Sequence, residues 1–233
     1  MKIRFLVPVI GMVVAIGCSP TSSPSVEKPP TSKPIPATAP TAEVPVKLHH
    51  DGFVYGGFAK EGTQTFVVKV SGQADGEGTE TKKVKPSTDG TILIERSRDG
   101  ALAAVGTDTV RIDDKGASVV GVSIGKLSAP SLELPANLAI GKTWKLEYNI
   151  KTDTETIKNA GTYKVVGDGP VSVPAGKFTA RKVTLTGTIE TSKGRGKVTS
   201  TFYFVKNMGA VKSETTITFN GQTPQTFVLE LKK

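Results

Sequence analysis

Cysteine is almost missing from this chain: Cys18 stands alone among 233 residues. With no second thiol there is no intrachain disulfide, and a cysteine-built metal cluster is excluded. Histidine is nearly as scarce, being confined to the adjacent pair His49 and His50. Neighbouring side chains of an extended segment point apart, so this pair does not converge on a metal. Beside Asp51 it reads as a solvated junction, and the expectation is no metal and no cofactor. Long apolar runs are missing too. The best, Phe5 to Gly17, is broken by Pro8 and falls short of the roughly 20 residues a spanning helix needs.

That short run nevertheless has a context. Lys2 and Arg4 precede it, and Ala15-Ile16-Gly17-Cys18-Ser19 follows. A basic start, a short apolar stretch and a small residue before the cut make a secretory signal. An ordinary cleaved signal has no need of Cys18. The segment resembles the bacterial lipoprotein signal, with Ala15 where leucine is commonest. The resemblance implies that the Cys18 thiol takes a diacylglycerol and the new amino terminus a further acyl chain, palmitate being typical. Two or more chains anchor stably, at about 0.8 kcal/mol per buried methylene. It also implies lipoprotein processing and sorting machinery as partners. Ser19 stands where aspartate marks inner-membrane retention in enteric bacteria, so the expected site is the outer membrane, facing the periplasm.

Residues 19–46 form a second chemical region. Proline recurs at 20, 24, 29, 30, 34, 36, 40 and 45, with serine and threonine between. Too few apolar groups are present to offset ordering entropy, so the segment reads as a disordered tether. Proline-rich chain extends by about 3.1 Å per residue, giving a reach on the order of 90 Å. Residues 47–233 then have ordinary globular composition, enough for one domain with a real core. The formal charge is +9. For an exported protein this excludes nucleic acid as the natural partner and suits anionic headgroups or cell-wall carboxylates. Plain solubility explains it equally well.

The domain alternates with period two. Trp144, Leu146, Tyr148 and Ile150 share one parity, as do Val183, Leu185 and Ile189, then Val211, Thr215, Ile217 and Phe219, then Phe227, Leu229 and Leu231. Phe66, Val68 and Val70 begin the pattern. Each such strand buries one face and wets the other. Asp89-Gly90, Asp99-Gly100, Asp113 to Gly116, Asp168-Gly169, Lys193-Gly194 and Asn220-Gly221 supply hairpin turns. The expected fold is all-β: a single antiparallel meander of roughly a dozen strands, bent into a curved sheet, sandwich or half-barrel.

From Leu134 onward, Pro135, Gly141-Lys142-Thr143-Trp144, Val173-Pro174-Ala175-Gly176-Lys177-Phe178 and the run Tyr203 to Lys212 resemble the TapB-like domain of bacterial envelope proteins. That family is largely uncharacterised. The resemblance implies a β-rich envelope domain, without catalytic residues.

Motifs with enzymatic overtones fail on context. Gly121-Val122-Ser123-Ile124-Gly125 fits a nucleophile elbow, but no helix follows and both histidines lie upstream. Gly141-Lys142-Thr143 ends like a phosphate loop, yet a strand follows and the first glycine is replaced by Ala136. Asp75, Glu77 and Glu80 lack the full calcium-loop pattern and read as a polar hairpin tip. Lys177, Arg181, Lys182, Lys193, Arg195 and Lys197 form a basic stretch, suited to anionic headgroups or to guarding a sheet edge. The expectation is therefore a non-enzymatic, membrane-anchored module. It binds an apolar or lipid-like ligand in a trough walled by Trp144, Phe202, Phe204 and Phe219. The alternative is an interaction protein with a filled core that contacts envelope proteins or the cell wall.

Overall fold

The computed structural model describes residues 45–86 and 89–233, and ahead of them only a short strand pair, Pro8–Val9 with Met12–Val13. The rest of the signal, its helix and Cys18, and the tether through Val44 lie outside the described residues. Among those described, no helix is long and apolar enough to cross a membrane.

Thirteen strands form one antiparallel sheet. The first meander comprises β1 (Gly62–Val70), β2 (Gly76–Pro86), β3 (Ile92–Gly100), β4 (Asp108–Asp113) and β5 (Gly116–Val122). Two short strands follow, β6 (Lys126–Leu127) and β7 (Ser131–Pro135). The second meander comprises β8 (Thr143–Lys151), β9 (Thr156–Val173), β10 (Gly176–Thr191), β11 (Gly194–Val205), β12 (Gly209–Phe219) and β13 (Gln225–Leu231). The spatial order is β6-β8-β9-β10-β11-β12-β13-β1-β2-β3-β4-β5-β7. The first and last long strands thus pair with each other, Phe66 opposite Leu231 and Val70 opposite Phe227. The sheet curls until β7 and β8 lie side by side, but no ladder joins them. It is a curved, unclosed sheet, as the alternation implies.

The alternation sets which face is inside. In β8 burial alternates residue by residue, with Trp144, Leu146, Tyr148 and Ile150 buried. β12 does the same from Gly209 to Phe219. Most of these inward residues join a core with Ile94, Val110, Ile112, Leu134 and Leu185, while Val211 packs in a second cluster with Phe66, Val68 and Leu231. Most of the expected turns fall where they should. Gly90, Gly100 and Gly221 take left-handed φ values of 77°, 63° and 72°. Asp168-Gly169 does not turn. It lies inside β9, because a bulge at Val165/Gly167 absorbs one residue and the hairpin runs on to Pro174-Ala175. There the Ala175 amide donates to the Leu231 carbonyl.

A single turn of helix, α1 (Asp51–Gly56), sits where a solvated junction was expected. His50 caps it: Nδ1 accepts from the Phe53 amide while Nε2 donates to the Asp113 carbonyl at 2.7 Å. Asp51 accepts from the Leu138 amide, and the Val54 carbonyl from the Asn207 amide. Gly57 ends the helix at φ 65°, and a Cβ there would come within 2.5 Å of the Met208–Gly209 backbone. Phe53, Tyr55 and Phe58 enter the core, so the helix is a plug held by both meanders.

Gly161 and Gly187 face each other across β9 and β10. A methyl on Gly187 would stand 2.4 Å from the Ala160 carbonyl oxygen. Gly187→Ala is expected to lower stability by about 1–3 kcal/mol through overpacking. The outward Thr186→Ala should cost less than about 1 kcal/mol. Urea midpoints at unchanged slope measure both.

Candidate functional site

The inside of the curl has two chemically different walls. On β2, β3 and β4 the inward parity carries charge: Glu80 and Lys82, then Arg96 and Arg98, then Asp108. Arg96 donates to both oxygens of Asp108, at 2.7 and 3.1 Å, and to both of Glu133, at 3.0 and 2.9 Å. Arg98 reaches Glu80 at 2.9 Å, Asp108 at 3.1 Å and the Gly106 carbonyl at 3.3 Å. Glu133 arrives by a register shift. Ala117 pairs with Leu134 and Ser118 with Leu132, leaving Glu133 unpaired in a bulge that re-aims its side chain.

Facing this network is an aromatic wall. Trp144 stacks on Tyr163 with ring centroids 4.9 Å apart, Tyr163 tilts against Phe202 at 6.3 Å, and Phe202 stacks on Phe204 at 6.0 Å. Offset pairs of this kind add about 0.5–1.5 kcal/mol each beyond simple burial. Between the walls lies a cavity of about 80 Å³, reached by Glu80, Lys82, Arg96, Arg98 and Glu133 from one side and by Trp144, Tyr163, Phe202 and Phe204 from the other. It has room for a handful of water-sized groups. Gln64 of β1 and Ser213 and Thr215 of β12 also line it, together with apolar residues such as Phe66, Val183 and Leu229.

The electrostatics follow from burial. Desolvation alone would raise Glu80, but Arg98, Arg96 and Lys82 outweigh it and bring its carboxyl down to about 2. Burial pushes the Lys82 ammonium down, and Glu80 only partly restores it. Burial, then Tyr148 and Glu133, push the Tyr163 hydroxyl up, so it stays protonated and able to donate. The six charges cancel in number but not in contact. The arginines engage all three carboxylates, whereas Lys82 Nζ has the Gly56 carbonyl at 3.3 Å and Glu80 only at 4.0 Å.

Three of the four expected wall residues, Trp144, Phe202 and Phe204, line the cavity; Phe219 packs in the core instead. The acidic hairpin cluster splits, since Glu80 turns inward while Glu77 pairs with Lys232. The basic stretch splits as well. Lys177 lies at the start of β10, while Lys193 follows its far end and Arg195 and Lys197 pair with Glu190 and Thr188 near that end, about 35–55 Å away at strand rise, and Arg181 is paired with Asp168. Ser123 Oγ accepts from the Thr107 amide at 2.8 Å. The charged wall was overlooked, although Arg96 and Arg98 share parity with Ile92 and Ile94.

No family model matches the chain, and no curated protein matches it. Two solved structures are similar in fold. One is a Bacteroides fragilis NCTC 9343 protein inferred to be exported, with a YmcC-like fold. It is 17% identical with a TM-score of 0.52, over 75% of this chain and 95% of that one. The other is a Parabacteroides distasonis ATCC 8503 protein inferred to be a lipoprotein, 10% identical with a TM-score of 0.53, over 77% of this chain and 97% of that one. At these identities the likeness is one of fold.

Removing one member of a buried charge pair strands the other, at about 3–5 kcal/mol. Arg96→Met is expected to fall in that range by denaturant unfolding. Acid gives a second check. Glu80 lies below its ordinary value of 4.5 when folded. Its contribution is therefore complete above about 4.5 and is lost as pH falls toward 2. Stability measured across that window should drop by a few kcal/mol, and the slope should be shallower in Glu80→Gln.

Proposed function

We propose that this chain is an exported lipoprotein, anchored through acyl chains on Cys18, whose curled sheet binds a small amphipathic molecule and performs no catalysis. The observation that carries the reading is the two-walled cavity. An aromatic side receives apolar surface while a charged side receives a polar end, the arrangement expected of a small-molecule site. The lipobox and proline-rich tether support the anchored, envelope-facing half of the proposal, and Ser19 favours the outer membrane with the domain in the periplasm. The fold agrees with the β-rich domain implied by the TapB-like resemblance. Sorting machinery and the bilayer are then its first partners.

A second reading, a filled-core protein working through its surface, is favoured by one observation: the cavity is small and Phe219 closes into the core rather than lining it.

Full-length protein extracted from membranes and weighed under native conditions tests both halves. The expected result is an acylated Cys18, lost to the aqueous fraction in Cys18→Ser, together with a retained small molecule absent from Ala210→Leu, which narrows the cavity. An unmodified thiol overturns the anchoring. An acylated protein with no retained mass and no response to added amphiphiles overturns the binding function in favour of the surface reading.

A further inference from the structure

The geometry points to a carboxylate as the polar end of the ligand, gripped by Lys82 with Tyr163 and Trp144 as neutral donors; this rests on the binding function proposed above. The argument is one of unspent hydrogen-bond capacity. Inside the cavity every carboxylate is engaged: Glu80 by Arg98, Asp108 by both arginines, and Glu133 by two bonds from Arg96. What remains are donors. Trp144 Nε1 and Tyr163 Oη are buried and find no hydrogen-bond partner among the described residues. An indole N–H can only donate, and a protonated phenol donates readily. Lys82 carries three N–H groups but makes one hydrogen bond, to a carbonyl at 3.3 Å; its other neighbours are a carboxylate at 4.0 Å, beyond hydrogen-bond range, and the Phe58 ring at 5.8 Å. It lies 7% exposed, among the least accessible places a lysine can occupy.

A buried cation with one weak bond is costly, and a ligand that completes its shell recovers that cost. The complement to three donors without free acceptors is a group that only accepts. Charge narrows the choice. The wall already balances three cations against three anions, with Lys82 the least compensated, so a singly charged acceptor fits where a phosphate dianion would meet Glu80 and Glu133 as repulsion. An ammonium group would add a fourth cation beside Lys82, Arg96 and Arg98. A carboxylate on a short apolar body, its chain against Trp144 and Phe202, satisfies both walls at once.

The protein supplies its own reporter, because Trp144 is the only tryptophan in the chain. Its fluorescence is titrated with hexanoate, hexanol and hexylamine, which share a body and differ in the head. The expected result is that hexanoate binds at least about tenfold more tightly than hexanol, since charge-assisted hydrogen bonds are about twice as strong as neutral ones, and that hexylamine does not bind. Lys82→Met should remove the preference for hexanoate over hexanol. Tyr163→Phe deletes only an unpartnered hydroxyl, so it should fold with undiminished stability and weaken hexanoate. Equal binding of hexanoate and hexanol, or an unaltered preference in Lys82→Met, overturns the carboxylate inference while leaving the binding function standing. Failure of all three probes to perturb Trp144, together with no retained molecule in native protein, overturns the binding function itself.

Discussion

Arg96 is the interaction on which the interior depends. Its planar guanidinium takes two carboxylates in paired geometry, Asp108 from the adjacent strand and Glu133 from the bulged edge strand. Arg suits this task better than Lys because its fork matches two carboxylates with little loss of rotamer freedom. The side chains involved are almost wholly buried, so each charge is tolerated only through its partners. A curled sheet filled with aliphatic side chains would collapse onto itself. A wall of cross-braced ions resists that collapse, since moving any one of them unpairs the others. The chamber is held open by the network that lines it.

The sheet supplies the opposite requirement. β8, β9 and β11 supply the four aromatic rings, and pairing slips leave Val166 of β9 and Val211 of β12 as bulged residues nearby. Bulges raise local twist and re-aim side chains. The glycine pair Gly161 and Gly187 leaves room on the same inner face for Leu185. Curvature, aromatic lining and ionic bracing are therefore parts of one arrangement. The plug α1 completes it from below, with Tyr55 held between Arg181 at 5.0 Å and Lys206 at 5.8 Å.

Much of this was written in strand parity. The apolar faces of β8, β10, β12 and β13 and the class of fold follow from alternation alone, because period two stands out over runs of seven to sixteen residues. The charged wall was also readable. Arg96, Arg98 and Asp108 continue the parity of Ile92, Ile94, Val110 and Ile112, and charge in an inward register is itself the signal. Glu133 was not readable, since a bulge and not parity brings it inside. Nor was α1, whose six residues are too few for a helical stripe and whose anchors lie 63 and 87 positions away in sequence. Asp168-Gly169 has the composition of a turn, but the pairing of Asp168 with Arg181 serves the continuing strand instead.

The pairing of β1 with β13 has a temporal meaning. Lys69 and Glu230, salt-bridged at 2.9 Å, are 161 positions apart. A polypeptide that emerges amino end first cannot zip that seam until β13 has appeared. Until then two half-sheets wait with open flanks, which is the condition in which strands find wrong neighbours. Native assembly thus waits for β13, and a product shortened before it would lack the stave that joins the halves.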